Sequence, residues 1–490
     1  MKFSFRVILF VFLLITASCS KIENSNISEL DFIPLESVKI ININDLSVTK
    51  NILENNQLVS NLYPNSKVVY NNLNLLSNSF TKKGVLSLSP FSKDEIAYTF
   101  ISRVELSDSI FNNDDFNRTY QNFDIYSKKN INKTIYKTII GDFYISSDND
   151  IVLENIIRDH KTNNKKINPD LLKISKTIDR DDPFNFFIKS DGSNSGDYRS
   201  YNLPVLPKVK TSWIGYDFTN STDIVELSGV TKLADSLNSK ISILKSISSK
   251  KIISDNVIPN TFRSFFSFNV GDSERFTFNL KNYFKSNSIA SDDFNFKSLN
   301  LISDMSIVDD QEKFLVISLK NTDQIEEYFN FQESNYTDIN FINLDEGLKL
   351  LLQSFSYDPE INYSTLINNF LIIGESVSQL RNIINSNKIN DVLGSNSVYT
   401  NYKKNISSNN NFKWILNTKN KMNSSIMSSL DSDLYPFISF GGKFSQDIAL
   451  LNFDFKKINN LSQEGEAYTE FLISSDSEII LDPIRSEEHT

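Results

Sequence analysis

The chain is short of the residues on which much protein chemistry depends. Its 490 residues include one cysteine, Cys19, and two histidines, His160 and His489. One thiol cannot form a disulfide within the chain. One cysteine and so few histidines cannot supply the ligands of a zinc site. We therefore expect no disulfide and no metal site, so that the fold must be stabilised by burial of its core.

Glycine and positive charge are also scarce. Thirteen glycines in 490 residues leave few loops able to wrap a nucleotide, and neither a G-x-x-x-x-G-K-[ST] segment nor a G-x-G-x-x-G segment after a strand is present. The formal net charge is −10 and the pI is about 5.0. A phosphate partner needs a basic face. The sequence thus predicts no cofactor and no nucleic-acid partner.

Histidine-based catalysis has one candidate residue. His160 follows the helical pattern LENII at 153–157, where a histidine interacts favourably with the C-terminal end of the helix dipole. A serine nucleophile would need a histidine beside it, but no G-x-S-x-G elbow is present. We therefore predict no catalytic role for His160.

Oxygen-based sites are harder to exclude. The segment Asp191–Asp197 alternates oxygen side chains as a calcium loop does, but Asn202 stands at the twelfth position, where such loops place a glutamate. We interpret it as a hairpin loop. Glycoside hydrolysis needs only two carboxylates, and with 60 acidic residues the chain leaves that chemistry open.

The N-terminus has the three-part layout of a secretory signal. Lys2 and Arg6 precede the apolar run 7–15, and small residues at 16–18 precede Cys19. The apolar run is too short to span a bilayer. This end of the signal is similar to a bacterial lipobox, which implies cleavage before Cys19 and its acylation with chains such as palmitate. Several acyl chains anchor a protein stably.

The remaining terminal segments have separate interpretations. Residues 19–29 form a polar tether between the lipid and the first domain. The last six residues, 485–490, read RSEEHT, which matches the translation of a common sequencing adapter. We interpret them as an artefact, in which case the natural chain continues beyond Ile484. A genuine charged C-terminus is the alternative.

A long internal duplication is suggested by five segments that recur in the same order at offsets of 224 to 229 residues. We predict two copies of one module, at 30–250 and 251–484. The matched pairs are 37–45 with 264–272, 84–100 with 313–329, 142–157 with 370–384, 184–189 with 412–417, and 213–227 with 437–451.

Each copy shows the same local patterns. Asp45 and Asp272 follow β-rich runs and are placed to cap the helices that come next. Asn220-Ser221 and Gly441-Gly442 are predicted near hairpin turns. Strand patterns outnumber helical ones, which favours an α+β fold: two tandem modules, each a largely antiparallel twisted sheet with helices on one side. Trp213, like Trp414, falls inside a predicted strand and is assigned to the core.

The order of these segments resembles the bacterial envelope family called domain of unknown function 3352. The resemblance rests on residues 33–46, on 313–329 and above all on 370–417, which read as strand, turn, helix, linker and strand. The family has no assigned activity, so the resemblance implies no functional residue. Related flavobacterial lipoproteins continue into a β-propeller-like C-terminal domain.

Together these features predict a lipid-anchored, non-enzymatic protein of the bacterial cell envelope that serves binding or scaffolding. Ser20, not aspartate, follows Cys19, so nothing favours retention in the inner membrane, and we expect the outer membrane, on its periplasmic or surface face. The expected partners are the membrane, through the lipid, and an unidentified protein or glycan. A carboxylate-based polysaccharide hydrolase is one alternative. An anchor for a missing C-terminal domain is another.

Overall fold

The computed structural model describes residues 27–457 with internal gaps. Undescribed within that span are 57–58, 60–64, 93–94, 105–110, 112–114, 132, 163–166, 180, 190–212, 221–223, 233–239, 291–293, 356, 358–362, 405, 421–430 and 446–447. The signal at 1–18, Cys19, most of the tether, the loop Asp191–Asp197 and the tail 485–490 lie outside the described residues.

The described part of the chain contains twenty-two strands and nine helices. The strands are β1 Lys39–Ile43, β2 Gly84–Pro90, β3 Ile96–Arg103, β4 Asp115–Tyr120, β5 Phe123–Lys129, β6 Thr134–Ile140, β7 Phe143–Ser147, β8 Phe184–Lys189, β9 Trp213–Asn220, β10 Ile224–Lys232, β11 Lys250–Lys251, β12 Ser264–Asn269, β13 Ile302–Asp309, β14 Lys313–Leu319, β15 Asn330–Tyr336, β16 Ile339–Asn343, β17 Tyr363–Ile367, β18 Phe370–Gly374, β19 Asn409–Asn410, β20 Phe412–Asn417, β21 Phe437–Phe444 and β22 Ile448–Lys456. The helices are α1 Leu46–Asn55, α2 Ser66–Leu76, α3 Asp150–Thr162, α4 Pro169–Ile174, α5 Ser273–Ser286, α6 Ile325–Tyr328, α7 Glu346–Ser354, α8 Val377–Lys388 and α9 Ser397–Lys404.

Twenty of these strands form one sheet in which every pairing is antiparallel. From one edge to the other the order is β4-β5-β6-β7-β3-β2-β1-β8-β9-β10-β22-β21-β20-β12-β13-β14-β18-β17-β16-β15. The remaining two, β11 and β19, pair with each other. The prediction of an α+β fold with a largely antiparallel sheet is therefore confirmed.

The pairing order reads the same outward from the centre in both directions. The central pair, β10 with β22, is antiparallel over nine residues, with Ser228 opposite Asn452 at its midpoint. In this order Gly84–Pro90 occupies the place of Ile302–Asp309, and Ile96–Arg103 that of Lys313–Leu319. The sequence match of 84–100 with 313–329 is therefore displaced by one strand, because adjacent apolar strands carry similar patterns.

Helices cover both faces of the sheet, so the prediction of helices on one side is wrong. Leu86 packs in one core with Leu53 of α1 and Leu73 of α2. Its neighbour in β2, Val85, packs on the opposite face with Leu153 of α3. Both faces of such strands are apolar, and each needs its own cover to exclude water.

The second half of the sheet is covered in the same way. Phe266 shares a core with Leu280 of α5 and Leu352 of α7. Phe265, which points to the opposite face, packs with Leu380 of α8 and with α9. The molecule is therefore a sheet between two layers of helices.

One apolar row crosses the centre of the sheet without interruption. The row consists of residues that face each other across successive strands, and it belongs to the core of both halves of the sheet. Its members are Phe184, Phe218, Leu227, Phe453, Phe440, Trp414 and Phe266. The Phe184 and Phe218 rings stack at 4.6 Å between centroids, and Phe440 lies 4.3 Å from Phe453. We call the face of the sheet that carries this row the aromatic face. We call the opposite face the belt face, because a band of polar side chains crosses it.

Two predicted helix caps are confirmed. Asp45 accepts hydrogen bonds from the backbone N–H groups of Ser47 and Val48 at the start of α1. Asp272 accepts one from Arg275 at the start of α5. An aspartate at this position satisfies amide groups that have no partner within the helix.

The hairpin predicted at 437–451 is present as β21 and β22, and Gly441-Gly442 lie inside β21, shortly before the turn that follows Phe444. Close packing explains the glycines. A Cβ atom on Gly442 would lie 2.4 Å from Cε1 of Phe412. The corresponding Asn220-Ser221 prediction falls partly on undescribed residues.

The outer strands of the sheet, β4 and β15, are mostly exposed. Each carries an irregularity in its only pairing within the described part of the chain. The register shifts between Phe116 and Arg118 in β4, and between Gln332 and Tyr336 in β15. Such bulges interrupt the row of backbone groups that an edge strand offers.

Candidate functional site

Polar side chains cross the belt face through the centre of the sheet. We call this set the polar belt, and its members lie on seven strands: Asp217 (β9), Glu226 (β10), Asp454 (β22), Lys413 (β20), Ser267 (β12), Asp304 (β13) and Ser318 (β14). Glu226 faces Asp454 across the central pair, and Ser267 faces Lys413.

At its first end the belt is built around a buried asparagine. The Nδ2 of Asn185 donates to Oδ1 of Asp217 at 2.9 Å and to the backbone carbonyl of Asp179 at 2.8 Å. Its Oδ1 accepts from Asn42 at 3.3 Å and from Asn44 at 2.9 Å. All hydrogen-bonding groups of this amide are used, which fixes the position of the Asp217 carboxylate.

Two carboxylates at this end have raised pKa values. Burial, and then the negative charges of Asp217 and Asp179, raise the pKa of Asp182 to about 6. Burial also raises the pKa of Asp217, although hydrogen bonds from Asp179 and Asn185 oppose the rise. Neighbouring carboxylates whose pKa values are shifted by their surroundings are an arrangement that acid–base catalysis uses.

Beyond the centre, the belt passes beneath α9. The Oγ of Ser439 donates to Oδ2 of Asp454 at 2.7 Å. Burial raises the pKa of Asp454 to about 6, and the charge of Glu226 adds to the rise. Burial lowers the pKa of Lys413 to about 8, and the charge of Lys403 adds to this shift. These groups are therefore kept where their charged forms are poorly solvated.

The far end of the belt is a chain of hydroxyl groups beside a carboxyl. Ser306 donates to Ser254 at 2.6 Å, and Ser318 donates to Oδ1 of Asp304 at 2.9 Å. Burial raises the pKa of Asp304 to about 7, and the charge of Asp255 adds to the rise. This carboxyl therefore keeps its proton to a higher pH than an ordinary aspartate does.

Asp255 and Lys403 form an ion pair against this part of the belt. Asp255 is 2% exposed and lies in a short 3₁₀ turn, whereas Lys403 reaches it from α9. The Lys403 Nζ also lies 5.9 Å from the centre of the Tyr399 ring. Strand β20, the short 3₁₀ turn and α9 thus bring four ionisable groups together: Asp255, Lys403, Lys413 and Tyr399.

Little space is available at this cluster. The cavity there has a volume of about 10 Å³ and is lined by Asp255, Phe265, Tyr399 and Lys413 among others. That is room for about one water molecule. A larger depression of about 510 Å³ lies between α5 and the segment 294–297, where Phe278 is exposed. It is open and lies away from the belt.

His160 and the two tryptophans, which the sequence analysis considered, pack against other side chains of the fold. His160 lies 5.4 Å from Phe32 and 6.0 Å from Phe123 between ring centroids, and burial lowers its pKa. Trp213 and Trp414 are buried in strands, so their assignment to the core is confirmed. Among the described residues no group of three or more histidine, cysteine, aspartate or glutamate side chains is placed to hold a metal ion.

The belt itself was not predicted. Its members are single polar residues within apolar strands, such as Asp304 in ISDMSIVD and Lys413 in FKWILN. A charged residue at a position where the alternation calls for an apolar one is the signal that could have located it.

Comparisons with known proteins are limited. No family model and no curated protein matches the chain. Among solved structures, crystal form III of the treponemal protein TP0453 has a TM-score of 0.27 and 9% identity, and the match covers 43% of this chain and 82% of that one. Forms I and IV each give a TM-score of 0.26 and 10% identity, covering 43% and 44% of this chain and 81% and 84% of those chains. At these TM-scores the likeness carries no inference.

No helix in the described ranges is both long enough and apolar enough to cross a bilayer.

Proposed function

We propose that this protein is a lipid-anchored, non-enzymatic scaffold of the bacterial cell envelope, built from two copies of one module. The observation that carries the proposal is the sheet, in which nine strands on each side of the central pair follow the same order. A platform of this length holds two equivalent surfaces at a fixed separation, as a scaffold requires.

The central pair supports the proposal of a duplication. Ser228 and Asn452 face each other and are 224 residues apart, which is the offset of the sequence match in this region. Lys232 and Lys456, also 224 apart, each reach the helical layer of their own half, through Asp170 and the carbonyl of Asn401. The junction between the two copies, in which one strand of each pairs with the equivalent strand of the other, resembles the isologous interface of a symmetric dimer.

The candidate binding surface is the belt face at the centre of the sheet. Leu450 and Ile448 are among the exposed large apolar residues, and they stand beside half-buried Ser228 and Asn452. Exposed apolar groups within a polar surround are typical of protein contact sites. We propose that an envelope protein or glycan binds here.

Anchoring is tested by replacing the acylated residue. The wild-type protein is expected in the membrane fraction and to incorporate labelled palmitate, whereas Cys19→Ala is expected to lose the label. Ser20→Ala serves as the matched control and should keep it. An unacylated wild-type N-terminus, cleaved at another position, would contradict the anchoring proposal.

Binding is tested by capture from envelope extract with the purified protein, comparing Leu450→Glu with Leu366→Glu. Leu366 lies on β17, far from the centre, and is similarly exposed. A partner retained by the wild type and by the Leu366 variant, but lost from the Leu450 variant, supports the proposed surface. Absence of any specific partner, with a normal envelope in a deletion strain, opposes the scaffold role.

A second function has one specific observation in its favour. Asp182 and Asp217 form a pair of carboxylates with raised pKa values, as a polysaccharide hydrolase would need. Turnover of a glycan panel by the wild type, lost in Asp182→Asn but kept in Asp181→Asn, would favour the hydrolase. No turnover by the wild type would favour the scaffold. Membership of the domain of unknown function 3352 family is also a proposal, which rests on residues 370–417.

A further inference from the structure

The ion pair between Asp255 and Lys403 has an unusual environment for two charges. One carboxylate oxygen of Asp255 contacts Lys403 Nζ. The other, Oδ1, is buried without a hydrogen bond of ordinary length from the described residues, although the Tyr399 hydroxyl lies close enough to Asp255 to interact with it. A buried carboxylate in this position is costly, because the protein replaces only part of the water that its charge has lost.

From this arrangement we infer that Lys403 and Asp255 join covalently, through an amide bond between Nζ and the side-chain Cγ. The product is neutral. It replaces two opposite charges in a poorly solvated place by an amide, whose desolvation costs far less than that of two ions.

The reaction balances without any other reactant. Within the pair, a proton moves from the Lys403 ammonium to the Asp255 carboxylate, which leaves an amine and a carboxylic acid. The Nζ lone pair attacks Cγ and forms the new C–N bond. One C–O bond then breaks, and the hydroxyl leaves as water with a proton from the nitrogen. Nothing is oxidised or reduced, and one water molecule is lost.

The surroundings of the pair favour each part of this reaction. Proton transfer that neutralises two ions is favoured where burial weakens solvation. The ammonium group of Lys413 lies close enough to Lys403 for the two charges to interact. Asp304 lies near enough to interact with the charge of Asp255, and burial raises its pKa to about 7. The adjoining cavity of about 10 Å³ has room for the water that leaves.

The amide bond would also give the chain an internal covalent cross-link. With Cys19 as its single cysteine, the protein cannot form an internal disulfide. An amide from the 3₁₀ turn at Ser254–Asn256 to α9 would enclose most of the second half of the sheet in a covalent ring. Closing a long loop restricts the unfolded chain, as a disulfide does.

Peptide mapping of the purified full chain tests the inference directly. Trypsin cannot cleave after an acylated lysine, so the linked form yields 252–263 joined to 389–404 as one species. Its mass is the sum of the two peptides less one water, or about 18 Da. We expect this species to account for most of the Asp255-containing peptide, with fragment ions that locate the link at Lys403.

Two variants complete the test. Lys403→Arg keeps the positive charge but has no nucleophilic amine, so the linked species should vanish while circular dichroism shows a folded protein. Lys404→Arg removes the neighbouring, exposed amine and should leave the link in place. If the folded wild type yields 252–263 and 389–403 only as separate peptides, the inference is overturned, and this result does not depend on any variant folding.

Discussion

Asp304 illustrates how one buried side chain links the fold to pH. It is 1% exposed, and Ser318 donates a hydrogen bond to its carboxylate. An ordinary aspartate has a pKa of 3.8, whereas burial raises that of Asp304 to about 7. Because the folded chain holds this proton more tightly than the unfolded chain, the associated stabilisation is complete below about pH 4. It is lost as the pH rises through 7.

Replacing Asp304 by asparagine should therefore flatten the dependence of stability on pH. We expect the wild-type free energy of unfolding to fall between pH 5 and pH 8, and Asp304→Asn to reduce that fall by roughly 1 to 3 kcal/mol. Denaturant midpoints of both proteins at the two pH values provide the measurement. Asp310→Asn, on the exposed turn after β13, is the control. Equal falls in all three proteins would show that Asp304 does not ionise in this range.

Gly442 gives a prediction about packing at the same scale. Its Cβ position is occupied by the ring of Phe412, and Leu451 lies 3.2 Å away on the other side. Gly442→Ala should destabilise the protein by roughly 1 to 3 kcal/mol, because the ring must leave its place in the core. Thermal unfolding measures the effect, with Lys443→Ala as the neighbouring control. An unchanged Tm would mean that the Phe412 ring moves without cost.

At the scale of elements, an aspartate N-cap precedes both α1 and α5. Asp45→Ala and Asp272→Ala each remove a helix cap and should each cost about 1 kcal/mol of stability. Hydrogen exchange should show faster opening of the first turn of the affected helix alone. Glu274→Ala, within the first turn of α5, removes a negative charge without removing the cap. A loss as large as that of Asp272→Ala would assign the effect to charge rather than to capping.

The elements also show what could be predicted from sequence. Strands and caps were predictable, because Asp45 and Asp272 follow apolar runs and because FLIIGES leads into an amphipathic helix. The placement of helices was not predictable. In β2, residues 85 to 89 are buried on both faces, so they show no alternation that would reveal an exposed face. The polar belt was not predictable for a related reason. Asp304 and Lys413 join one polar row only because strands that are distant in sequence lie side by side in the sheet.

At the scale of the whole molecule, the shared row on the aromatic face predicts that the halves unfold together. Phe453 packs against the cores of both halves. Calorimetry should therefore give one cooperative transition for the wild type. Phe453→Ala should cost roughly 2 to 4 kcal/mol and separate the transition into two. Phe278→Ala, which removes an exposed ring on α5, should leave a single transition. Two transitions in the wild type would show that the central pair couples the halves only weakly.

The bulged outer strands have a consequence for how such molecules behave at high local concentration. Since β4 and β15 hold equivalent places at opposite ends, a neighbour that could add to one end could add to the other, and growth would have no natural stop. A shifted register at each end leaves too short a stretch of free amide and carbonyl groups to template another chain. Dense arrays of this protein can therefore stay discrete rather than fuse into fibres.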